Sequence, residues 1–359
     1  MALDLGSLLG NQNAPLVGLD ISTSGVKLVE LSQSGKNELR LERFATEYLP
    51  RGAVVDGNIE NIEQVAEAVR KVWKKSGTRA KHVAMGLPPA SVITKKIILP
   101  GGMVEEELEM HVETEASQYI PFALDEVSLD FDLIGPAPNS PEDVEVLLAA
   151  TRKEKVEDRV AVAEAAGLIP KVMDIESYAA RAAVERLTAQ LPKGGQGQIV
   201  ALMQIGSQVT HISVLMDGQA IYEREQAFGG NQLTQDIMRA YGLSQEEADA
   251  KKRSGDLPEG YERDLLEPFL DSTAMEITRA VQFFFTSTPY TRIDQIFLAG
   301  GCAAIPGLAE IVADRTKVAT AVVSPFKGMQ IGSNVREKQL RSEAPSLLVA
   351  CGLAMRRFD

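Results

Sequence analysis

Apolar residues along this chain recur with two periods. Ile62, Val65, Ala66, Val69, Val72 and Trp73 fall at i, i+3, i+4, i+7, i+10 and i+11, which places them on one face of a helix. Strand-length apolar runs flank it. Pro15–Ile21 and Gly25–Leu31 are joined by Ser22-Thr23-Ser24-Gly25 as a β-hairpin, and His82–Leu87 follows the helix. The pattern then tightens. Val92–Leu99, Val104–Gln118, Ser128–Ile134, Val144–Thr151, Lys153–Ala166 and Val172–Ile175 read as strand, helix, strand, strand, helix, strand, the order of a small self-contained α+β domain. Beyond a Gly- and Pro-containing boundary at Leu191–Gly197 the first pattern restarts. Gln198–Gln204 and Thr210–Met216 are strands around a Gly206-Ser207 turn, and a later strand runs into Ala299-Gly300-Gly301. Two halves built alike imply a cleft between them.

The predicted organisation is a tail over 1–12, a first lobe over 13–90 and 175–192, an inserted α+β subdomain over 91–174, and a second lobe over 198–359 whose stretch 230–290 is mostly helical. In the tail, Met1, Leu5, Leu8 and Leu9 share a helical stripe with only Asp4 as a charge, which suits a docking or frayed segment better than a basic membrane anchor.

Composition narrows the function. The 359 residues carry 37 basic and 50 acidic side chains, a net charge of −13, so phosphate backbones and anionic headgroups are repelled and nucleic acid is excluded as a first reading. No apolar run approaches the roughly 18 residues that would span a bilayer. Cys302 and Cys351 make neither a disulfide framework nor a metal-ligand spacing, and no basic region precedes an apolar core at the N-terminus, so the expected compartment is the cytoplasm.

No glycine precedes a Gly-Lys-Ser or Gly-Lys-Thr at P-loop spacing. Two turns of Gly, Ser and Thr, one per half, can instead aim N–H groups and hydroxyls at one polyphosphate from opposite sides. Asp20, at the end of the first strand, can hold Mg²⁺ through water, and Lys27 can add a point charge. Taken singly, each turn also reads as a plain tight turn, with Asp20 as its cap.

The set Gly18–Lys27, Gln204–Thr210, Leu298–Leu308 and Val349–Ala354 resembles the actin-like ATPase signature series: first phosphate loop, second phosphate loop, adenosine loop and final connecting helix. Lys95–Leu99, Gln118-Tyr-Ile-Pro-Phe122 and the insert resemble, within that superfamily, the PilM family of cytoplasmic type IV pilus assembly proteins related to the division protein FtsA. The resemblance implies an α/β fold of two lobes around a nucleotide cleft with an FtsA-type inserted subdomain. It implies ATP or ADP with Mg²⁺, held by Asp20 through water and by Ser22, Thr23, Ser24, Lys27, Gly206, Ser207, Gln208, Thr210, Gly300 and Gly301. Asp249 and Lys252, at i and i+3, match the ribose-contacting pair of actin-like proteins, although Gln245–Arg253 reads equally well as a solvated charged helix. Gly307 fits the same adenosine loop.

One position departs from the series. Relatives start the second phosphate loop with Asp, where this chain has Gln204, an amide with no charge to hold Mg²⁺ or draw a proton. Slow hydrolysis is the consequence. Glu176 matches the connecting segment in which relatives place a carboxylate near the attacking water, and it reads equally as an N-terminal helix carboxylate. Glu276 and Arg279 read first as a structural ion pair. The histidines, His82, His111 and His211, have no spaced partners, and Glu105–Glu109 is a solvated helix start.

The expected function is an ATP-binding adaptor of pilus assembly. The resemblance implies capture of the N-terminal cytoplasmic tail of an inner-membrane, PilN-like protein where the insert meets the first lobe, holding the adaptor at the inner membrane through its partner. Tyr119, Ile120, Pro121 and Phe122 form an apolar run that either lines that groove beside Glu113 and Glu115 or seals the insert's core. A sugar-kinase-like phosphotransferase and a polymerising cytoskeletal protein are the alternatives on the same fold.

Overall fold

The computed structural model describes residues 3–4, 15–35, 38–138 and 140–358. They form two compact units, 1–183 with 329–335 and 349–359, and 184–328 with 336–348. Beyond Leu3–Asp4 the expected tail lies outside the described residues.

The first unit opens with β1 (Leu3–Asp4), β2 (Leu16–Ser22), β3 (Gly25–Gly35), β4 (Glu38–Tyr48), the short β5 (Val54–Val55) and β6 (Asn58–Ile59), α1 (Ile62–Ser76) and β7 (His82–Leu87). Helix α1 starts where the Asn61 side chain accepts from the Gln64 N–H and stops at Gly77, whose φ of 68° continues no helix. Val65, Ala66, Val69 and Val72 of its predicted apolar face are buried on β2, β3 and β7 with Trp73 partly so, while Ile62 at the first turn is exposed.

Strands β8 (Val92–Pro100), β9 (Val127–Ala137) and β10 (Ser140–Arg152) form an antiparallel sheet in the order β8-β10-β9. Helix α2 (Glu105–Tyr119) lies between β8 and β9 in sequence and covers one face of that sheet, setting Leu108, Val112 and Ala116 against Ile97, Leu99, Val146 and Leu148. The next elements, α3 (Lys153–Ala165) and β11 (Ile169–Ile175), were read as the end of the insert but serve the larger sheet. Strand β11 pairs in parallel with β7, and Val162, Ala163, Leu168 and Met173 join the core around α1. The insert's own hydrogen bonding therefore closes at Arg152. Helix α4 (Glu176–Thr188) follows directly.

The second unit contains β12 (Ile199–Ile205), β13 (Thr210–Met216), β14 (Gln219–Gln226), α5 (Asn231–Tyr241), α6 (Gln245–Ser254), α7 (Glu267–Ser287), β15 (Gln295–Ala299), α8 (Leu308–Thr316) and β16 (Thr320–Val322). Its sheet order, β16-β15-β12-β13-β14, repeats β11-β7-β2-β3-β4 of the first unit, with the same antiparallel hairpins and the same parallel neighbours. The internal repeat seen in the sequence is a repeat of strand order and sense.

The chain then returns. Strand β17 (Gln330–Ile331) pairs with β4, helix α9 (Glu337–Glu343) belongs to the second unit, and α10 (Leu348–Met355) packs in the first, so 329–335 and 349–359 leave the lobe to which the sequence pattern assigned them. The reason is steric. A Cβ on Gly18 would lie 2.0 Å from the Ala350 carbonyl oxygen, and one on Gly352 would lie 1.8 Å from that of Ala179, so α10 rests on β2 and α4 backbone to backbone. Because no flexible side chain can yield there, Gly352→Ala is expected to cost about 3 kcal/mol, at the upper end of overpacking penalties, read as a lowered urea midpoint. An unchanged midpoint would contradict this contact.

Candidate functional site

Strand β2 is buried from Leu16 to Ile21, so only its end emerges, at the two-residue turn Thr23-Ser24 closed by the Ser22–Gly25 pair. Register places Asp20 opposite Lys27. The Lys27 ammonium donates to Asp20 Oδ2 at 2.8 Å and to Ser22 Oγ at 3.0 Å, and the Ser22 hydroxyl donates to the Gly25 carbonyl at 2.9 Å. Lys27 is thus held on Asp20 at the base of the turn, and the pair is nearly buried, at 13% and 5% side-chain exposure. A buried pair of this kind persists only with its partners in place.

Glu176 opens α4 beside the same edge of the sheet. Its Cγ would be 2.8 Å from a Cβ on Gly86, near the end of β7. The carbonyl of Gly86 accepts at 2.7 Å from Arg159 of α3, 1% exposed, which also donates to the carbonyls of Gly57 (3.0 Å) and Lys155 (3.3 Å). Burial lowers the affinity of Arg159 for its proton, and the charges that oppose this are Glu176, Asp158 and Asp20. The sequence pattern gave no notice of Arg159, which sits in a helix rich in charge.

In the second unit, Gly206, Ser207 and Gln208 form the turn between β12 and β13, closed by the Gly206 N–H on the Val209 carbonyl at 3.0 Å. Thr210, buried, donates to the Phe228 carbonyl at 2.8 Å. The turn docks on Gly229 and Gly230 just before α5: Gly230 N–H donates to Gly206 at 3.0 Å and Asn231 N–H to Ser207 at 2.7 Å. A Cβ on Gly229 would be 2.6 Å from the Gly206 oxygen, so this Gly-Gly step, unremarked in the sequence pattern, is as necessary as the turn itself. Gly300, at φ 89°, comes so close to Ile205 that a Cβ would lie 2.3 Å from its oxygen, whereas Gly301 has open space. Cys302 then reaches the Gly206 oxygen at 3.6 Å, and burial pushes its thiol up.

Asp249 and Lys252 do come together. Both engage the fully buried Thr234 of α5: its hydroxyl donates to Asp249 at 2.8 Å and accepts from Lys252, whose ammonium also donates to the Gly230 carbonyl at 3.2 Å and lies 3.2 Å from Asp249. The helix is anchored at these two positions and by Ala248, which is buried against Leu233, Ile237 and Phe269. Gln204 is half-buried in β12, paired across to His211 on one side and Ala299 on the other. The described residues therefore assemble as two groups at the carboxyl ends of equivalent strands, the position at which open α/β sheets hold ligands. Glu276 and Arg279 form the structural ion pair, at 2.5 Å, with Gln226 donating to Glu276 at 2.6 Å.

The insert's run divides. Ile120 is buried in the core of the three-stranded sheet and Phe122 packs partly on it beneath the Arg152 guanidinium at 4.1 Å, while Tyr119 and Pro121 are exposed. A shallow cavity lies elsewhere, where the other face of that sheet meets β7 and β11, between Val92, Asp130 and Ala149 on one side and Leu87, Met173 and Asp174 on the other. Burial, aided by Asp132, pushes the Asp130 carboxyl up. No group of three or more metal-ligating side chains occurs among the described residues, and no helix there is long and apolar enough to cross a membrane.

Two outcomes check this geometry. Gly300→Ala, strained in φ and blocked by Ile205, is expected to lose about 2 kcal/mol or more of stability in chemical denaturation, while Gly301→Ala stays within about 0.5 kcal/mol. His211, 3.3 Å from Glu225, has its pKa lowered from the usual value by burial, with Glu225 opposing. A depressed histidine binds fewer protons folded than unfolded, so its contribution is present above about pH 6.5 and lost as pH falls through the folded value. Melting temperature should fall between pH 7.5 and 5, and His211→Gln should flatten part of that slope.

A family model described as type IV pilus assembly protein PilM matches residues 18–358. Cell division protein FtsA of Bacillus subtilis is 23% identical over 365 residues, spanning 88% of this chain and 80% of that protein. Among solved structures, a chain of the PilM-PilN type IV pilus biogenesis complex is similar at 28% identity with a TM-score of 0.78, over 96% of this chain and 98% of that one. The ethanolamine utilization protein EutJ from Carboxydothermus hydrogenoformans shares the fold at 16% identity and a TM-score of 0.54, over 98% of this chain and 91% of its own. The fold is that of the actin-like ATPases. With nearly its whole length matched, the chain belongs to the PilM family of type IV pilus assembly proteins.

Proposed function

We propose that this chain is an ATP-binding adaptor of type IV pilus assembly that hydrolyses ATP slowly or not at all and captures the cytoplasmic tail of a PilN-type inner-membrane protein, which holds it at the membrane. The observation that carries the nucleotide reading is the pair of Gly/Ser turns at equivalent ends of two sheets of the same strand order. Ser22, Thr23, Ser24 and Lys27 in one unit, and Gly206, Ser207 and Gln208 in the other, supply the N–H groups, hydroxyls and one ammonium that phosphates need. Asp249, Lys252, Gly300 and Gly301 suit the nucleoside. Mg²⁺ would be held by water, phosphate oxygens and Asp20, a nearly buried carboxylate, and would neutralise phosphate charge. Gln204 carries no charge to activate water, which leaves Glu176 as the carboxylate on hand.

Calorimetry is expected to show ATP and ADP binding at millimolar ligand or below, and no heat would overturn the nucleotide reading. Turnover should stay under about 1 s⁻¹, the low end for enzymes, and Gln204→Asp should raise Mg²⁺ affinity.

Tail capture is supported by the likeness to a chain solved with PilN. Two places on the three-stranded subdomain are candidates for contact with the peptide: the small cavity beside Asp130 and the exposed side chains of Tyr119 and Pro121. The cavity fits better, since apolar walls beside a carboxylate suit aliphatic side chains with one positive charge. Peptide anisotropy decides: Ala149→Phe should weaken tail binding about tenfold, with Tyr119→Ala unchanged. The reverse outcome assigns the Tyr119 edge, and no effect from either removes tail capture from this subdomain.

A further inference from the structure

The chain crosses into the three-stranded subdomain twice, through Pro88–Ser91 and back at Arg152–Lys153. Both crossings meet at Arg159. Its guanidinium bonds Gly86, just before the outgoing crossing; Gly57, against which Pro88 packs so closely that a Cβ would be 2.5 Å from Pro88 Cγ; and Lys155, in the first turn after the return. Thr151 ties the crossings directly, its hydroxyl donating to the Ser91 carbonyl at 2.7 Å. The hydrogen bonds of Arg159 run to the carbonyls of Gly86, Gly57 and Lys155, and the charges of Glu176, Asp158 and Asp20 act on it as well. An arginine buried to 1% is an expensive way to fill a core, and its rigid fork fixes three peptides at once. One of those peptides, Gly86, also lies against the Glu176 side chain, whose Cγ would be 2.8 Å from a Cβ there.

We propose that Arg159 is a positioning residue that joins the Glu176 end of the phosphate-turn site to the base of the three-stranded subdomain, so that ATP and a bound tail peptide alter each other's affinity through it. This rests on the adaptor reading above and adds the residue by which its two ligands are linked. A group that moves with Gly86 on one side and with both crossings on the other transmits a shift at either end, because a planar fork cannot follow one carbonyl and release the others without leaving a buried donor unpaired. Linkage makes the effect reciprocal.

The test is the coupling factor, the ratio of peptide affinities with and without saturating ATP and Mg²⁺. It is measured by anisotropy with a labelled synthetic peptide of the PilN-type N-terminal tail, on the full chain and on Arg159→Met and Arg159→Lys. The parent should show about fivefold coupling or more in either direction, and Arg159→Met should bring it to about one while each ligand alone binds within about threefold of the parent. Arg159→Lys keeps the charge and loses the fork, so it should retain less than half of the coupling free energy, and it decides the matter if Arg159→Met does not fold. A merely structural arginine would lower the melting temperature and leave the coupling factor alone. Parent-level coupling in either folded variant, or a parent that binds both ligands without coupling, overturns the proposal. A parent that fails to bind ATP or the peptide overturns the adaptor reading itself, a result visible in the single-ligand titrations.

Discussion

The last helix meets the rest of the first unit backbone to backbone at Gly18 and at Gly352, and the place of the Ser22–Gly25 turn follows from both. Gly18 lets α10 lie on β2 two residues before Asp20, and Gly352 lets the same helix lie on α4. The far end of α10 is fixed by charge instead: Arg356 donates to Asp174 Oδ2 at 2.5 Å, and the aspartate is wholly buried. Burial pushes the Asp174 carboxyl up and the Arg356 hydrogen bond pulls it down, so the pair holds only as a pair. Asp174 stands two residues before Glu176. The last helix of the chain therefore clamps the strand that ends at the turn and the strand that leads into the candidate carboxylate.

Three cations of the candidate groups are held by partners. Lys27 sits on Asp20, Arg159 on three carbonyls, and Lys252 on Thr234, Asp249 and Gly230. Drawing Lys27 from Asp20 would strand a nearly buried carboxylate, so charge at the first turn is exchanged between partners and is not simply added.

The hairpins, α1 and both turns were legible because each is a local pattern: strand-length apolar runs, a 3.6 period with an Asn cap and a Gly stop, and Gly/Ser steps between strands. The allegiance of α3 and β11 was not. A β-α-β-β-α-β order specifies elements and leaves open which sheet each strand joins, and it was pairing of β11 with β7 that took 153–175 away from the insert. Gly229, Gly230 and Gly352 are necessary because of atoms distant in sequence, Ser207, Cys302 and Ala179, so their meaning appears only in three dimensions. Arg159 lies in a helix beginning Lys-Glu-Lys-Val-Glu-Asp-Arg, where a buried guanidinium is indistinguishable from a solvated one until its three acceptors are located. Ile120 misled for a related reason: an aliphatic residue before Pro121 suits a groove and a core equally, and the core took it.

The repeat of strand order makes the contrast between its copies informative. At the first turn the side chains facing the strand ends are Asp20 and Lys27; at the second, register sets Gln204 opposite His211. One copy thus meets its surroundings with an ion pair, and the other with an amide and an imidazole whose charge burial suppresses. The second turn is shaped mainly by glycine contacts, Gly206 with Gly230 and Gly300 with Ile205, which leave backbone N–H groups close to neighbouring strands where side chains would block them. Across its strand ends the first copy therefore sets an ion pair, and the second an uncharged amide beside backbone shaped by glycine contacts.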